Sequence, residues 1–153
     1  MRILFDTNVV LDVLLDRTPH AEFAALLFAE VETRQLVGLL CGTTITTVHY
    51  IAQRTLGEAG ARTQIERLLG LFEVASVTRP VLEGALSAGI KDFEDAVVHE
   101  SARLAGSDGI VTRNTIDFKA ASLKIYSPGE LVSALRALRQ QEGRTDAQVD
   151  EEV

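Results

Sequence analysis

The sequence predicts an α/β protein, a single domain with about five mainly parallel strands flanked by helices. Two observations predict it. Short apolar runs of strand length alternate, along most of the chain, with stretches whose apolar residues recur every three or four positions. The 153 residues also fit one domain and are enough to bury a sizeable core, with no internal repeat.

The elements follow in order. Ile3 to Phe5 is a short apolar run suited to a buried strand. Asp6, Thr7 and Asn8 interrupt it, and helical spacing resumes at Val9, Val10, Val13 and Leu14. A second helix is expected with Thr18 as N-cap, Pro19 at its first position, and Phe23, Leu26, Leu27 and Val31 on one face. The run "LVGLLC" reads as the second strand, and "TTITTVHYIAQRTL" and "ARTQIERLLGLF" read as two successive helices. "FEVASV" is the third strand, followed by a short helix from about Pro80 to Ala88. The helix of "KDFEDAVVHESA" comes next, then the strand "GIVT". A loop, "RNTIDFKAAS", leads to the last strand, "KIYS", and Pro128 opens a closing helix. The domain is expected to span residues 1–139. Residues 140–153, polar and acidic with a glycine, are expected to be a disordered tail.

Composition narrows the function classes. No apolar run approaches the roughly 18 to 20 residues needed to span a bilayer, and the N-terminus lacks a signal-peptide core. The single Cys41 cannot form an intramolecular disulfide, so a reducing cytoplasm is the expected compartment. The net charge of −7 argues against a broad basic footprint for nucleic acid, but more than half of it sits in residues 140–153.

In an open parallel sheet, ligands bind outside the carboxyl ends of the strands. Asp6 ends the first strand. Thr112, Arg113 and Asn114 end the fourth, with Asp117 three residues on. Asp92 and Asp95 open the helix that leads into that strand, and a crossover helix begins at the carboxyl edge. Asp6, Asp92, Asp95 and Asp117 are therefore expected to share one edge of the sheet. Each has an ordinary structural alternative: a turn or cap for Asp6, an N-cap for Asp92, a dipole partner for Asp95 and a solvated loop residue for Asp117. Asp12 reads as a surface helix residue, and His20 and His99 as structural or solvent-facing. Clustered carboxylates raise one another's pKa unless a cation neutralises them, and hard oxygen ligands favour Mg²⁺ or Mn²⁺ over Zn²⁺. Ions held in this way can activate water and stabilise charge on a phosphodiester.

Taken in order, "ILFDTNVVLDVLL", "KDFEDAVVHESA" and "IVTRNTIDF" resemble the PIN-domain family over almost the whole chain. The resemblance implies a small α/β nuclease that cuts single-stranded RNA with Mg²⁺ or Mn²⁺, leaving a 3′-hydroxyl and a 5′-phosphate. It also implies, for many bacterial members, a toxin paired with an antitoxin protein; a homodimer is the assembly expected. By the resemblance, Asp6 is the first metal ligand, Asp95 the main acid of the second-half helix and Asp92 its support. Asn114 and Asp117 take the positions that bind a second ion or its waters. One departure stands out. The family usually carries an acid on the helix after the second strand, whereas no acid occurs here between Glu32 and Glu58. Thr47 is the replacement expected, or His49 if the register shifts. A non-catalytic PIN-like module that binds a protein or RNA is thus a second reading. A phosphatase or phosphoacceptor domain is a third, disfavoured because Asn8 stands where a second Asp would be needed.

Overall fold

The computed structural model describes residues 1–150, and for 145–150 only the backbone path. Five parallel strands form one sheet in the order β3-β2-β1-β4-β5. They are Arg2–Phe5 (β1), Val37–Cys41 (β2), Glu73–Ala75 (β3), Gly109–Val111 (β4) and Lys124–Tyr126 (β5). The helices are Thr7–Leu14 (α1), Ala21–Glu32 (α2), Gly42–Leu71 (α3), Arg79–Ser87 (α4), Phe93–Leu104 (α5) and Pro128–Asp150 (α6), with a 3-10 turn at Thr115–Phe118.

The side-chain period of two along β1 explains the layering. Ile3 and Phe5 enter one core with residues of α1, α2, α3 and α6, whereas Leu4 enters the other with residues of α4 and α5. Burial on both faces accounts for the continuous apolar runs of the central strands. On the first face Phe5, Phe28 and Phe72 pack edge to face, with ring centroids 5.1 to 5.9 Å apart. Gly38 makes room for this group, since a Cβ there would stand 2.6 Å from the Phe72 ring.

Two local expectations need correction. Thr18 and Pro19 do not open α2. The chain first makes a turn closed by the Ala21 N–H donating to the Arg17 carbonyl at 2.8 Å, and His20 stands at the N-cap. The two helices expected after β2 are both present within the span 42–71, separated at Gly57, whose φ of 74° and ψ of 172° leave helical space. Glycine adopts that conformation without the Cβ penalty any other residue would carry. Lastly, the helical backbone of α6 runs on to Asp150, past the tail boundary expected near residue 139. Arg, Gln and Glu in that stretch are good helix formers, and the lone Gly143 is too weak a break. Residues 151–153 of the expected tail lie outside the described residues.

Candidate metal centre

The strand order changes direction at β1: β2 lies on one side, and β4, reached much later in the chain, on the other. Ligands bind at such a switch point, beyond the carboxyl ends of the strands. Phe5 pairs with Val111 in register, and the Asp6 N–H continues the ladder to the Val111 carbonyl at 3.0 Å. Asp6 and Thr112 are therefore neighbours at the switch point.

Asp6 is the N-cap of α1 and only 6% exposed. Its Oδ1 accepts the Thr7 N–H at 2.8 Å. Its Oδ2 accepts the Thr112 hydroxyl at 2.7 Å and the Asn8 amide at 3.1 Å. Thr112 in turn accepts the Asn114 N–H at 3.0 Å, and Asn8 Oδ1 accepts the Arg113 N–H at 3.3 Å. The DTN corner of β1 is thus bonded to the TRN segment after β4. Burial pushes the Asp6 carboxyl above its ordinary range, with a contribution from the charge of Asp117, while the three donors pull it back.

Asp92 caps α5, accepting the Asp95 N–H at 3.0 Å, so it does the structural job its position suggested. Asp95 is half-buried in the first turn. Its carboxyl is raised to about 7, first by burial and then by the charges of Asp6, Asp92, Asp117 and Glu94. Asp117 lies in the 3-10 turn, its N–H donating to the Asn114 carbonyl at 3.0 Å; both side chains are exposed. Asp95 therefore lies in the field of the three other acids singled out in the sequence.

Thr112 has no solvent exposure and serves both strands, so its removal has a clear expected effect. Thr112→Val keeps the shape but leaves the buried Asp6 carboxylate one donor short. It should destabilise the protein by about 1–3 kcal/mol in a thermal melt. A melt unchanged within ~0.3 kcal/mol would mean that this hydroxyl does not hold Asp6.

Comparison with known families adds the deciding observation: the family model for the PIN domain matches residues 2–116. The chain belongs to the PIN-domain family. Among solved structures, it is similar to a toxin–antitoxin complex from Klebsiella pneumoniae, with a TM-score of 0.64 and 23% identity. That match covers 82% of this chain and 97% of the other. The FitAcB structure from Neisseria gonorrhoeae gives the same TM-score at 22% identity and the same two coverages. VapC20 of Mycobacterium tuberculosis, described as a sarcin–ricin loop cleaving toxin, matches with a TM-score of 0.58 at 18% identity. It covers 71% of this chain and 86% of its own. At these identities the structures share the fold. No curated protein matches the chain.

Within this PIN domain, α3 carries Thr47 and His49, the two residues expected in place of the family's usual acid. Thr44, buried in the first turn of α3, brings its hydroxyl 3.1 Å from that of Thr7, which ties α3 to the DTN corner. Thr47 lies one turn further on, a neighbour of Thr44 on the same side of the helix. Its hydroxyl bonds back to the Thr43 carbonyl at 3.1 Å. His49 instead lines a groove of about 370 Å³ with Ile45, Arg62, Ile65 and Glu66, between the two halves of α3. Thr47 and His49 therefore lie in different surroundings on α3, Thr47 one turn from the Thr44–Thr7 contact and His49 in the groove. Sequence reading missed Thr44, an uncharged residue whose contact with Thr7 leaves no mark in the sequence pattern.

One other expectation changes. Asp12 is not on the surface; it has no solvent exposure and forms an ion pair with Arg113. His99 is buried and structural. Its Nε2 accepts the Ser122 N–H at 3.1 Å, pinning the segment before β5, while Nδ1 lies 3.3 Å from Glu100 Oε1.

The donor set fits a hard divalent cation. It offers carboxylate oxygens, and Asp95, raised to about 7 first by burial and then by the neighbouring acids, is a group whose charged form a cation would favour. The carboxylates are not drawn into one shell. Among the described residues no three His, Cys, Asp or Glu side chains stand close enough together to hold an ion as they are.

Proposed function

We propose that this PIN domain is a divalent-metal-dependent endoribonuclease of single-stranded RNA. The acid cluster at the β1/β4 switch point carries the reading. Its strongest sign is the Asp95 carboxyl, lifted by burial and by three other acids of the cluster. Asp6, Asp95 and Asp117, with Asp92 beside them, would hold Mg²⁺ or Mn²⁺. When bound, the ion supplies Lewis-acid activation of water and neutralises charge at the phosphate. The chain's own residues set the stage. Thr7, Asn8 and Thr112 fix the Asp6 carboxylate in one orientation, and Asp95 exchanges a proton near neutral pH. Asn114 is assigned a hydrogen-bonding role toward substrate or ordered water. By likeness to toxin–antitoxin structures, an antitoxin protein and a second copy of the chain are the partners proposed.

The test is incubation with an end-labelled single-stranded RNA in Mn²⁺ or in chelator. Cleavage that leaves 3′-hydroxyl and 5′-phosphate ends in Mn²⁺ alone is expected. No cleavage at any metal concentration overturns the reading.

One feature of the sequence favours a second reading, a non-catalytic module that binds RNA or protein: no acid occurs between Glu32 and Glu58, and by the resemblance Thr47 is the residue expected in place of the family's usual acid on α3. Thr47→Glu tests it. The added carboxylate should tighten Mn²⁺ binding by about tenfold in calorimetry, the scale of one improved ligand. Cleavage should rise at limiting metal and converge with the parent at saturating metal. His49→Glu, in the other groove, should leave affinity unchanged. If neither variant nor parent binds Mn²⁺, the binding-module reading stands instead.

A further inference from the structure

The proposal rests on the ribonuclease reading and concerns a pair of residues behind the acid cluster. Asp12 is a fully buried carboxylate on α1, two turns beyond Asp6, among Val9, Val10 and Leu11 of the core. Its partner comes from the far end of the chain. Arg113 Nη2 donates to Asp12 Oδ1 at 3.3 Å, and Nε lies 2.7 Å from Oδ2 in an ion contact whose N–H is not well aimed. Both atoms of the fork thus meet both carboxylate oxygens. The Arg113 side chain is 28% exposed, so the guanidinium is committed inward.

Arg113 sits between Thr112, which donates to Asp6, and Asn114, which opens the 3-10 turn carrying Asp117. Its own N–H is held by Asn8, one turn before Asp12 on the same helix. Helix α1 therefore grips this residue at both ends, by Asn8 at the backbone and by Asp12 at the side chain. A buried ion pair adds little net stability compared with apolar residues of similar size, yet removing one partner is severe. Such a pair gives geometry more than energy. We propose that Asp12 and Arg113 are positioning residues. They brace the segment 112–117 against α1 and so fix Asn114 and Asp117 relative to Asp6. The brace acts through the backbone, with no contact to RNA.

The test uses the full chain. Arg113→Met alone strands a buried charge and can fail to fold, so the informative variant is Asp12→Leu combined with Arg113→Met. It should melt at or above the parent temperature, because no buried charge is left unpaired. In that folded variant, amide exchange at Asn114 and Asp117 should quicken about tenfold, with β1 amides unchanged. Mn²⁺ affinity should weaken about tenfold and kcat should fall while KM for RNA stays the same, as for a support that orients ligands. Arg113→Lys, which keeps the charge and loses the fork, should fall between parent and double variant in exchange and in Mn²⁺ affinity.

A folded double variant with parental exchange at Asn114 and Asp117 overturns the proposal, as does one with quickened exchange but parental Mn²⁺ affinity. Quickened exchange in a protein whose parent neither binds Mn²⁺ nor cuts RNA supports the brace and overturns the ribonuclease reading. The two can therefore fail separately.

Discussion

Asp6→Asn is expected to cut RNA cleavage at saturating Mn²⁺ by about a thousandfold, the scale of losing several kcal/mol of charge stabilisation at the reacting phosphate. The metal-free fold should barely notice. Asparagine can still cap α1 by accepting the Thr7 N–H, and neutralising a nearly buried carboxyl removes both its desolvation and its repulsion with Asp117. Against this, the new amide offers a poorer acceptor to Asn8 and Thr112. The opposing effects should leave the metal-free melt within about 1 kcal/mol of the parent. Added Mn²⁺ should then separate the proteins, raising parental stability by about 2.7 kcal/mol at a hundredfold excess over Kd and the variant far less. Equal metal-induced shifts would show that the ion binds elsewhere, and parental cleavage by Asp6→Asn would remove Asp6 from the chemistry.

The parts of this site that were legible in the sequence share one property: they end strands or begin helices. Asp6 interrupts an apolar run, and Asp92 and Asp95 sit in a first helical turn, so the parallel topology alone sends them to one edge. Asp12 was misread for the opposite reason. Its position looks like an outward step between Val10 and Val13, and its partner Arg113 lies 101 residues away. The available signal was that Asp12 is flanked on both sides by apolar residues of a short helix that packs against α2 and α3. A helix apolar nearly all round is a buried one, and an acid within it needs a partner.

Helix boundaries show a similar division. The break at Gly57 was legible as two helices, because the apolar period stops and restarts there. The start of α2 was not, because "RTPH" carries correct helix-start chemistry that the turn before Ala21 uses otherwise. Thr44 escaped for want of charge. Its role is a hydroxyl contact with Thr7, which no period or composition announces. Thr47 stays the more informative position, since the distinction between an active nuclease and a binding module falls on α3.

Mn²⁺ affinity is expected to depend steeply on pH, and Asp95 gives the sign. Its folded pKa, about 7, lies above that of a free carboxyl, raised by burial and then by Asp6, Asp92, Asp117 and Glu94. Between about pH 4 and pH 7 the folded protein therefore holds a proton that the unfolded chain has released. The stability this proton confers is fully present below about pH 4 and is lost as pH rises through about 7. The metal-free protein should accordingly melt higher at pH 5 than at pH 8, and Asp95→Asn should flatten that slope. Metal binding runs the other way, since the ion competes with the proton for the same carboxylate. At pH 5, two units below its pKa, about 1% of Asp95 is ionised, so Mn²⁺ should bind about a hundredfold more weakly than above pH 8. Asp6, raised in the same direction, steepens the dependence. Calorimetric titration at intervals from pH 5 to pH 8 measures it directly. A flat affinity over that range would remove Asp95 from the ligand set, whereas a slope that disappears in Asp95→Asn would tie the proton and the ion to one oxygen pair.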